Sequence, residues 1–315
     1  MRDSLILSVV IPVFNERCNL REVLDRLHAV AKGISCELEV VFVDDGSTDG
    51  SWEEICVLRN LGGAHGNLKG LRFSRNFGKE AAILAGLQIS QGEAVVVMDA
   101  DLQHPPELIS DMVAIWREGF VVDIVEAVKI RRQKEALFFR WAAWVYYGLF
   151  RFFCGIDIRN ATDFKLLDRR AVEQYLRLPE VGRFFRGLTI WLGMHSVALE
   201  FEPPPRAHGS KSWTVGRLVG LARRSIVSFS SMPLRLVTWF GVLGLMFSIA
   251  LTLQTLWLHW RGQSEEGFPT VIVLILGMGS MILLGIGIIG EYVAEIYTEV
   301  KRRPAYVVAD RLRDE

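Results

Sequence analysis

Ala94-Val95-Val96-Val97-Met98-Asp99-Ala100-Asp101-Leu102-Gln103 decides how this chain is read. The small and β-branched residues at its start have the pattern of a buried strand, and two carboxylates one residue apart stand at its end. Such a pair can face a hard divalent cation, which takes oxygen ligands and fills its remaining positions with water and substrate phosphates. His104-Pro105-Pro106 then turns the chain. An acid-x-acid turn behind an apolar strand points to metal-assisted chemistry on a diphosphate.

Upstream the same arrangement recurs. Glu39-Val40-Val41-Phe42-Val43 ends in Asp44-Asp45-Gly46-Ser47-Thr48-Asp49-Gly50, and Leu7–Val13 ends in Phe14-Asn15-Glu16. Leu20, Val23, Leu24 and Leu27 then recur at helical spacing. Alternating strands and helices predict a parallel sheet of βαβ units, whose ligands bind beyond the carboxyl ends of the strands. Three polar clusters are thereby expected along one sheet edge.

A chain of 315 residues holds one large α/β domain plus an appendage. Its net charge of zero gives no basic field for nucleic acid, and no nucleic-acid motif is present. Cys18, Cys36, Cys56 and Cys154 form no Cys-x-x-Cys pair, which fits a reduced compartment without a zinc site or a disulfide framework. The apolar run at the amino terminus is read as a strand rather than a signal peptide, because Pro12, Asn15 and Glu16 follow it with no small-residue cleavage site.

Apolar residues concentrate in 234–260 and 268–290, each long enough to span a bilayer. Arg217, Arg223, Arg224 and Arg235 lie around the start of the first span, and Lys301, Arg302 and Arg303 follow the second. The positive-inside rule then places both flanks in the cytoplasm. The expected organisation is a catalytic domain in 1–213, an amphipathic interfacial helix in 214–233, the two spans, and a cytoplasmic helix and tail in 291–315, the helix packing on the catalytic domain. Phe138–Phe153, dense in aromatic residues, is either a core helix or a second membrane-contacting segment. Gly277, Gly279, Gly285, Gly287 and Gly290 suggest close helix packing, within one chain or between subunits of a homo-oligomer.

PVFNE (12–16), VDDGSTDGS (43–51), SRNFGKEAA (74–82) and MDADLQHPPE (98–107), in that order, resemble the family 2 glycosyltransferases with the GT-A nucleotide-sugar-binding fold. The closer likeness is to the polyprenyl-phosphate glycosyltransferases, the dolichyl-phosphate mannose synthase-like and bactoprenol glucosyltransferase enzymes. It continues through TDFKLLDRRAV (162–172), GRFFRGLTIWLG (182–193), PPRAHGSKSW (204–213), SFSSMPLR (228–235) and GEYVAEIYTEVKRRPAYVV (290–308), and so covers nearly the whole chain. The resemblance implies an α/β GT-A domain followed by a two-helix transmembrane hairpin.

It also implies roles. Asp101 binds a Mg2+ or Mn2+ ion with Gln103 close by, and Asp99 meets the nucleotide ribose or shares the metal. Ala100 lines the donor, Pro12, Phe14 and Glu16 shape the nucleotide slot, and Asp45 accepts a hydrogen bond from the base. Asp44 is a second partner or a turn cap, and Lys79 touches phosphate or is solvated. Asp163 matches the acceptor-side acid, although the usual Gly-Asp-Phe-Arg is here Thr-Asp-Phe-Lys. Cations must hold the phosphate of the acceptor, and Arg131, Arg140, Arg206 and Lys211 are the candidates, while His104 and His208 are read as loop residues rather than ligands.

The implied activity is transfer of a hexose with inversion, from a nucleotide-diphosphate sugar to polyprenyl phosphate, at the cytoplasmic leaflet of a bacterial-type inner membrane. UDP-glucose is the first donor; GDP-mannose, UDP-N-acetylglucosamine and an aminoarabinose donor are alternatives within the subgroup. A processive polysaccharide synthase is disfavoured because Gly182–Trp191 lacks a Gln-x-x-Arg-Trp motif. A noncatalytic lipid-carrier-binding subunit is disfavoured by the intact acidic clusters.

Overall fold

Ile6–Val13 is strand β1, and its burial on both faces explains why the run is apolar without alternation. The computed structural model describes residues 6–60, 67–118, 122–129, 148, 151–155, 161–202, 230–262 and 268–312. The chain divides into two units, one of Met1–Tyr147, Ile156–Trp213 and Arg303–Glu315, the other of Gly148–Gly155 and Thr214–Arg302.

In the first unit β1 is followed by α1 (Leu20–Gly33), β2 (Glu37–Asp44), α2 (Ser51–Asn60), β3 (Asn67–Phe73), α3 (Lys79–Ile89), β4 (Ala94–Val97) and α4 (Leu108–Glu118). Then come β5 (Ile124–Lys129), β6 (Ala161–Asp168), α5 (Arg169–Arg177), α6 (Phe185–Trp191), β7 (Ser196–Phe201) and finally β8 (Val308–Arg311). Among the described residues these strands form one sheet in the order β7-β5-β6-β4-β1-β2-β3-β8. β1 pairs in parallel with β2 and β4, and β2 with β3, so Val13, Asp44 and Val97 all end at one edge.

β6 runs antiparallel to β4, with Lys165 opposite Val97 and Asp168 opposite Ala94. Its beginning therefore lies at the edge where β4 ends, which carries Asp163 to the acidic turn. One face of the sheet packs Val9, Ile11 and Val96 against Leu20, Leu24, Leu27, Ile109 and Met112 from α1 and α4. α3 lies close over β1: a Cβ at Gly86 would stand 2.2 Å from Val10 Cγ1. Each fully buried aliphatic side chain of this kind contributes about 1.5–3 kcal/mol. β6 passes straight into α5 because Asp168 caps that helix, its carboxylate accepting the Arg170 N–H at 2.9 Å.

The second unit holds α7 (Met232–Trp260) and α8 (Phe268–Lys301). Pro233 sits in the first turn of α7, where its missing N–H costs nothing. α7 buries none of its side chains, and the mean hydropathy of its most apolar 18-residue stretch is 2.1. Gly277–Lys301 reaches 1.5, and both helices are long and apolar enough to cross a bilayer. Between them, Val237 Cγ1 approaches within 3.0 Å of where a Cβ at Gly285 would stand.

α8 runs unbroken through 290, and Val293, Ile296, Tyr297 and Val300 on it are exposed. The tail beyond it is a strand: Pro304 cannot continue the helix, and Val307-Val308 suit an extended chain.

Candidate active site

The end of β1 and the turn after β2 are laced together by hydrogen bonds. Asn15, in the left-handed region at φ 57°, donates its N–H to Ser47 Oγ at 2.9 Å, and its Oδ1 accepts the Thr48 N–H at 2.9 Å. Glu16 N–H donates to Ser51 Oγ at 3.1 Å, and the Glu16 carboxylate accepts from Asn19 Nδ2 at 2.6 Å. Pro12 is half-buried near the end of β1, and Phe14 stands 47% exposed at the edge, which leaves an apolar ring open to a planar ligand.

Asp44 and Asp45 are both buried, and burial pushes both carboxyls above their usual range. Asp44 caps its turn, Oδ1 accepting the Ser47 N–H at 3.0 Å, with Arg72 Nε 3.6 Å from Oδ2. Asp45 holds loop 74–78, its two oxygens accepting the N–H groups of Phe77 at 2.6 Å and Gly78 at 2.9 Å. Gly46 allows this close approach: its φ is +70°, and a Cβ there would stand 2.6 Å from the Arg75 carbonyl carbon.

The acidic turn after β4 folds back on itself. Gln103 N–H donates to Asp101 Oδ1 at 3.0 Å, and Leu102 is left-handed at φ 59°, a conformation costly for a branched residue and concentrated at functional sites. Asp99 N–H donates to His104 Nδ1 at 3.1 Å. That nitrogen is an acceptor, so His104 is neutral; burial lowers its pKa to about 4. Its ring stacks on Phe164 at 5.0 Å, and it packs beneath the turn. Ala100 is buried, whereas Asp99 keeps 31% of its side chain exposed.

Lys79, at the start of α3, joins the two sides of the cleft. Its Nζ lies 2.5 Å from Asp99 Oδ1 and 2.5 Å from Asp163 Oδ2. It is neither merely solvated nor remote from the acids. Arg186 on α6 closes the cluster as a fork, Nε 2.7 Å from Asp163 Oδ1 and Nη2 3.0 Å from Oδ2. Burial alone would raise the Asp163 pKa, but Lys79 and Arg186 override it and hold the carboxyl far below the usual range. Behind them Glu80 accepts the Phe185 N–H at 2.8 Å, and burial lifts its pKa to about 7.

The two departures in Thr-Asp-Phe-Lys have local explanations. Thr162 Oγ1 donates to the Ala127 carbonyl at 2.6 Å. Lys165, 1% exposed, lies 2.9 Å from Glu126 Oε1 on β5 and donates to Thr189 Oγ1 at 2.9 Å. Its charge is compensated away from Asp163.

Pro12, Phe14, Glu16, Asp44, Asp45, Lys79, Asp99, Ala100, Asp101, Gln103 and Asp163 thus meet at one sheet edge, while Arg131, Arg140, Arg206, Lys211 and His208 lie outside the described residues. Arg186 carried no role in the sequence reading; its signal was an unassigned cation in GRFFRG. The acidic turn offers the carboxylates of Asp99 and Asp101 and the amide oxygen of Gln103, hard donors that suit a divalent cation. Among the described residues no cluster of three His, Cys, Asp or Glu side chains forms a cage. A cation held here would draw the rest of its shell from water and phosphate, the habit of Mg2+-type ions.

Residues 8–176 match the model of glycosyl transferase family 2. An uncharacterized glycosyltransferase of Synechocystis sp. is 38% identical over 314 residues, covering 98% of this chain and 96% of that protein. YkcC of Bacillus subtilis, also an uncharacterized glycosyltransferase, is 37% identical over 306 residues, 96% of this chain and 92% of its own. The SfII prophage-derived bactoprenol glucosyl transferase of Shigella flexneri is 33% identical over 307 residues, 96% of this chain and 97% of its own. Among solved structures, mannosyl-3-phosphoglycerate synthase from Rubrobacter xylanophilus is 19% identical with a TM-score of 0.49, covering 73% of this chain and 74% of that one. With an alternating sheet whose acidic turns share one edge, and a match to the family model and to full-length relatives, the chain belongs to glycosyltransferase family 2.

Proposed function

We propose that this enzyme transfers glucose from UDP-glucose to polyprenyl phosphate, with inversion, at the cytoplasmic leaflet of a bacterial inner membrane. The observation that carries the reading is the Asp163 cluster: a carboxylate held anionic by Lys79 and Arg186 beside the acidic turn. Similarity over nearly its full length to a protein named bactoprenol glucosyl transferase supports the choice of sugar and lipid. Two apolar helices support a membrane-bound acceptor.

The donor lies along the sheet edge, with its base near Phe14 and Asp44–Asp45 and its diphosphate toward Asp99 and Lys79. Asp99, Asp101 and Gln103 would hold Mg2+ or Mn2+, which when bound supplies Lewis-acid stabilisation of charge on the leaving diphosphate. Lys79 adds a fixed positive charge to the same region. Asp163, so strongly stabilised as the anion, is a poor proton acceptor. The acceptor needs none: a phosphate monoester, with a second pKa near 6, is already largely dianionic at neutral pH. Asp163 therefore orients Lys79 and the sugar, while Arg131, Arg140, Arg206 and Lys211 are proposed to grip the acceptor phosphate.

The test is competition among donors. Membranes carrying the enzyme are supplied with undecaprenyl phosphate and labelled UDP-glucose, GDP-mannose or UDP-N-acetylglucosamine. Glucose should be transferred in preference to the others. Preference for another sugar overturns the donor, and no transfer from any donor overturns the activity.

A further inference from the structure

After the second apolar helix the chain returns to the sheet of the first unit. β8 pairs antiparallel with β3, Leu71 opposite Arg311 and Phe73 opposite Val308, with an irregularity between Arg72 and Phe73. Leu312 N–H extends the pairing to the Gly70 carbonyl at 3.0 Å. Covering an otherwise open strand edge would be reason enough for a strand here.

The residues just before β8 do something else. Tyr306 stacks on Phe73, ring centroids 4.7 Å apart at 16°. Its hydroxyl bonds to Gln88 Oε1 on α3. The Val307 carbonyl accepts the Ser74 N–H at 3.0 Å. Phe73 ends β3 and Gln88 belongs to the helix that Lys79 begins, so Tyr306 ties together the two elements that bound loop 74–78. Phe73 also meets Phe77 edge-on at 5.8 Å, and Phe77 and Gly78 are the residues whose N–H groups Asp45 holds. The loop is thus gripped by Asp45 from within and by the tail from without, and it leads directly into Lys79.

We propose that Tyr306 is a positioning residue for the donor site, and that the returning tail is a clamp setting loop 74–78, Asp45 and Lys79 for the nucleotide diphosphate. This rests on the reading of that edge as the donor site. Edge cover alone predicts a different outcome, since a strand that merely caps β3 affects stability without favouring one substrate.

Full-length Tyr306→Ala, Tyr306→Phe and Asp45→Asn enzymes are compared with wild type for the KM of UDP-glucose, the KM of undecaprenyl phosphate, UDP-glucose binding and thermal stability. Losing one aromatic pair should raise the KM for UDP-glucose about three- to ten-fold, with the KM for the lipid unchanged. Tyr306→Phe keeps the stack, loses only the bond to Gln88, and should recover most of the effect. An unchanged KM for UDP-glucose, whatever happens to the melting temperature, overturns the proposal, as does an equal rise for both substrates. Weakened UDP-glucose binding in Asp45→Asn with Tyr306→Ala unaffected rejects the clamp alone. No effect of either substitution on that binding rejects the donor reading as well.

Discussion

Asp163 receives bonds from Arg186 on both oxygens and from Lys79 on one, at distances of 2.5–3.0 Å. A carboxylate so satisfied orients its neighbours. Asp163→Asn should therefore retain measurable transfer, at a rate that follows acceptor ionisation near pH 6. Asp163→Ala should be slower, because it leaves Lys79 and Arg186 without their shared partner. A loss of about 100- to 10,000-fold in Asp163→Asn, recovered as pH rises above the acceptor pKa, would instead show a general base.

Glu80 carries a separate expectation. Its folded pKa, raised from 4.5 to about 7 by burial and by Asp163, means that the folded protein keeps a proton that the unfolded chain has released. Its contribution to stability is present below pH 4.5 and is lost as pH rises through about 7. Glu80→Gln removes that dependence and can still accept the Phe185 N–H. The apparent melting temperature of Glu80→Gln should accordingly fall less than that of wild type across this window; parallel curves would contradict it.

At the scale of elements, three parallel strands ending in polar turns were legible because each is a short apolar run with turn residues directly behind it, and α1 because Leu20, Val23, Leu24 and Leu27 share a face that is buried. What was not legible is pairing between distant segments. β6 enters antiparallel beside β4, and β8 closes the far edge more than 200 residues after β3. Asp163 and Arg186 are 23 residues apart, on a strand and a helix that no periodicity connects. Asp45 also holds a loop about 30 residues on, its two oxygens accepting backbone N–H groups there, a use no local motif announces. The contact of α3 with β1 makes one quantitative prediction. Gly86→Ala gains about 1 kcal/mol of helix propensity, but its Cβ would meet Val10 at 2.2 Å, and overpacking costs about 1–3 kcal/mol. It should lower the melting temperature, and Val10→Ala in the same chain should relieve part of the loss.

At the scale of the molecule, the proposed reaction joins a water-soluble donor to a membrane-bound acceptor. We propose, from the basic residues on both flanks of the hairpin, that its ends lie in the cytoplasm. A cysteine introduced as Ser264→Cys, in the connector, should react with an impermeant thiol reagent in intact cells, whereas exposed Cys18 should react only after lysis. Labelling of Cys18 in intact cells would reverse the orientation.

We propose that the acidic turn drives sugar transfer to a lipid phosphate. Purified full-length enzyme in undecaprenyl-phosphate vesicles, given radiolabelled UDP-glucose, should convert the label to a form that partitions into organic solvent. Asp101→Ala, inserted and folded to the same extent, should lose that conversion, as should wild type with excess EDTA. Undiminished lipid-linked label under either condition, or label recovered only in water-soluble product, would contradict it.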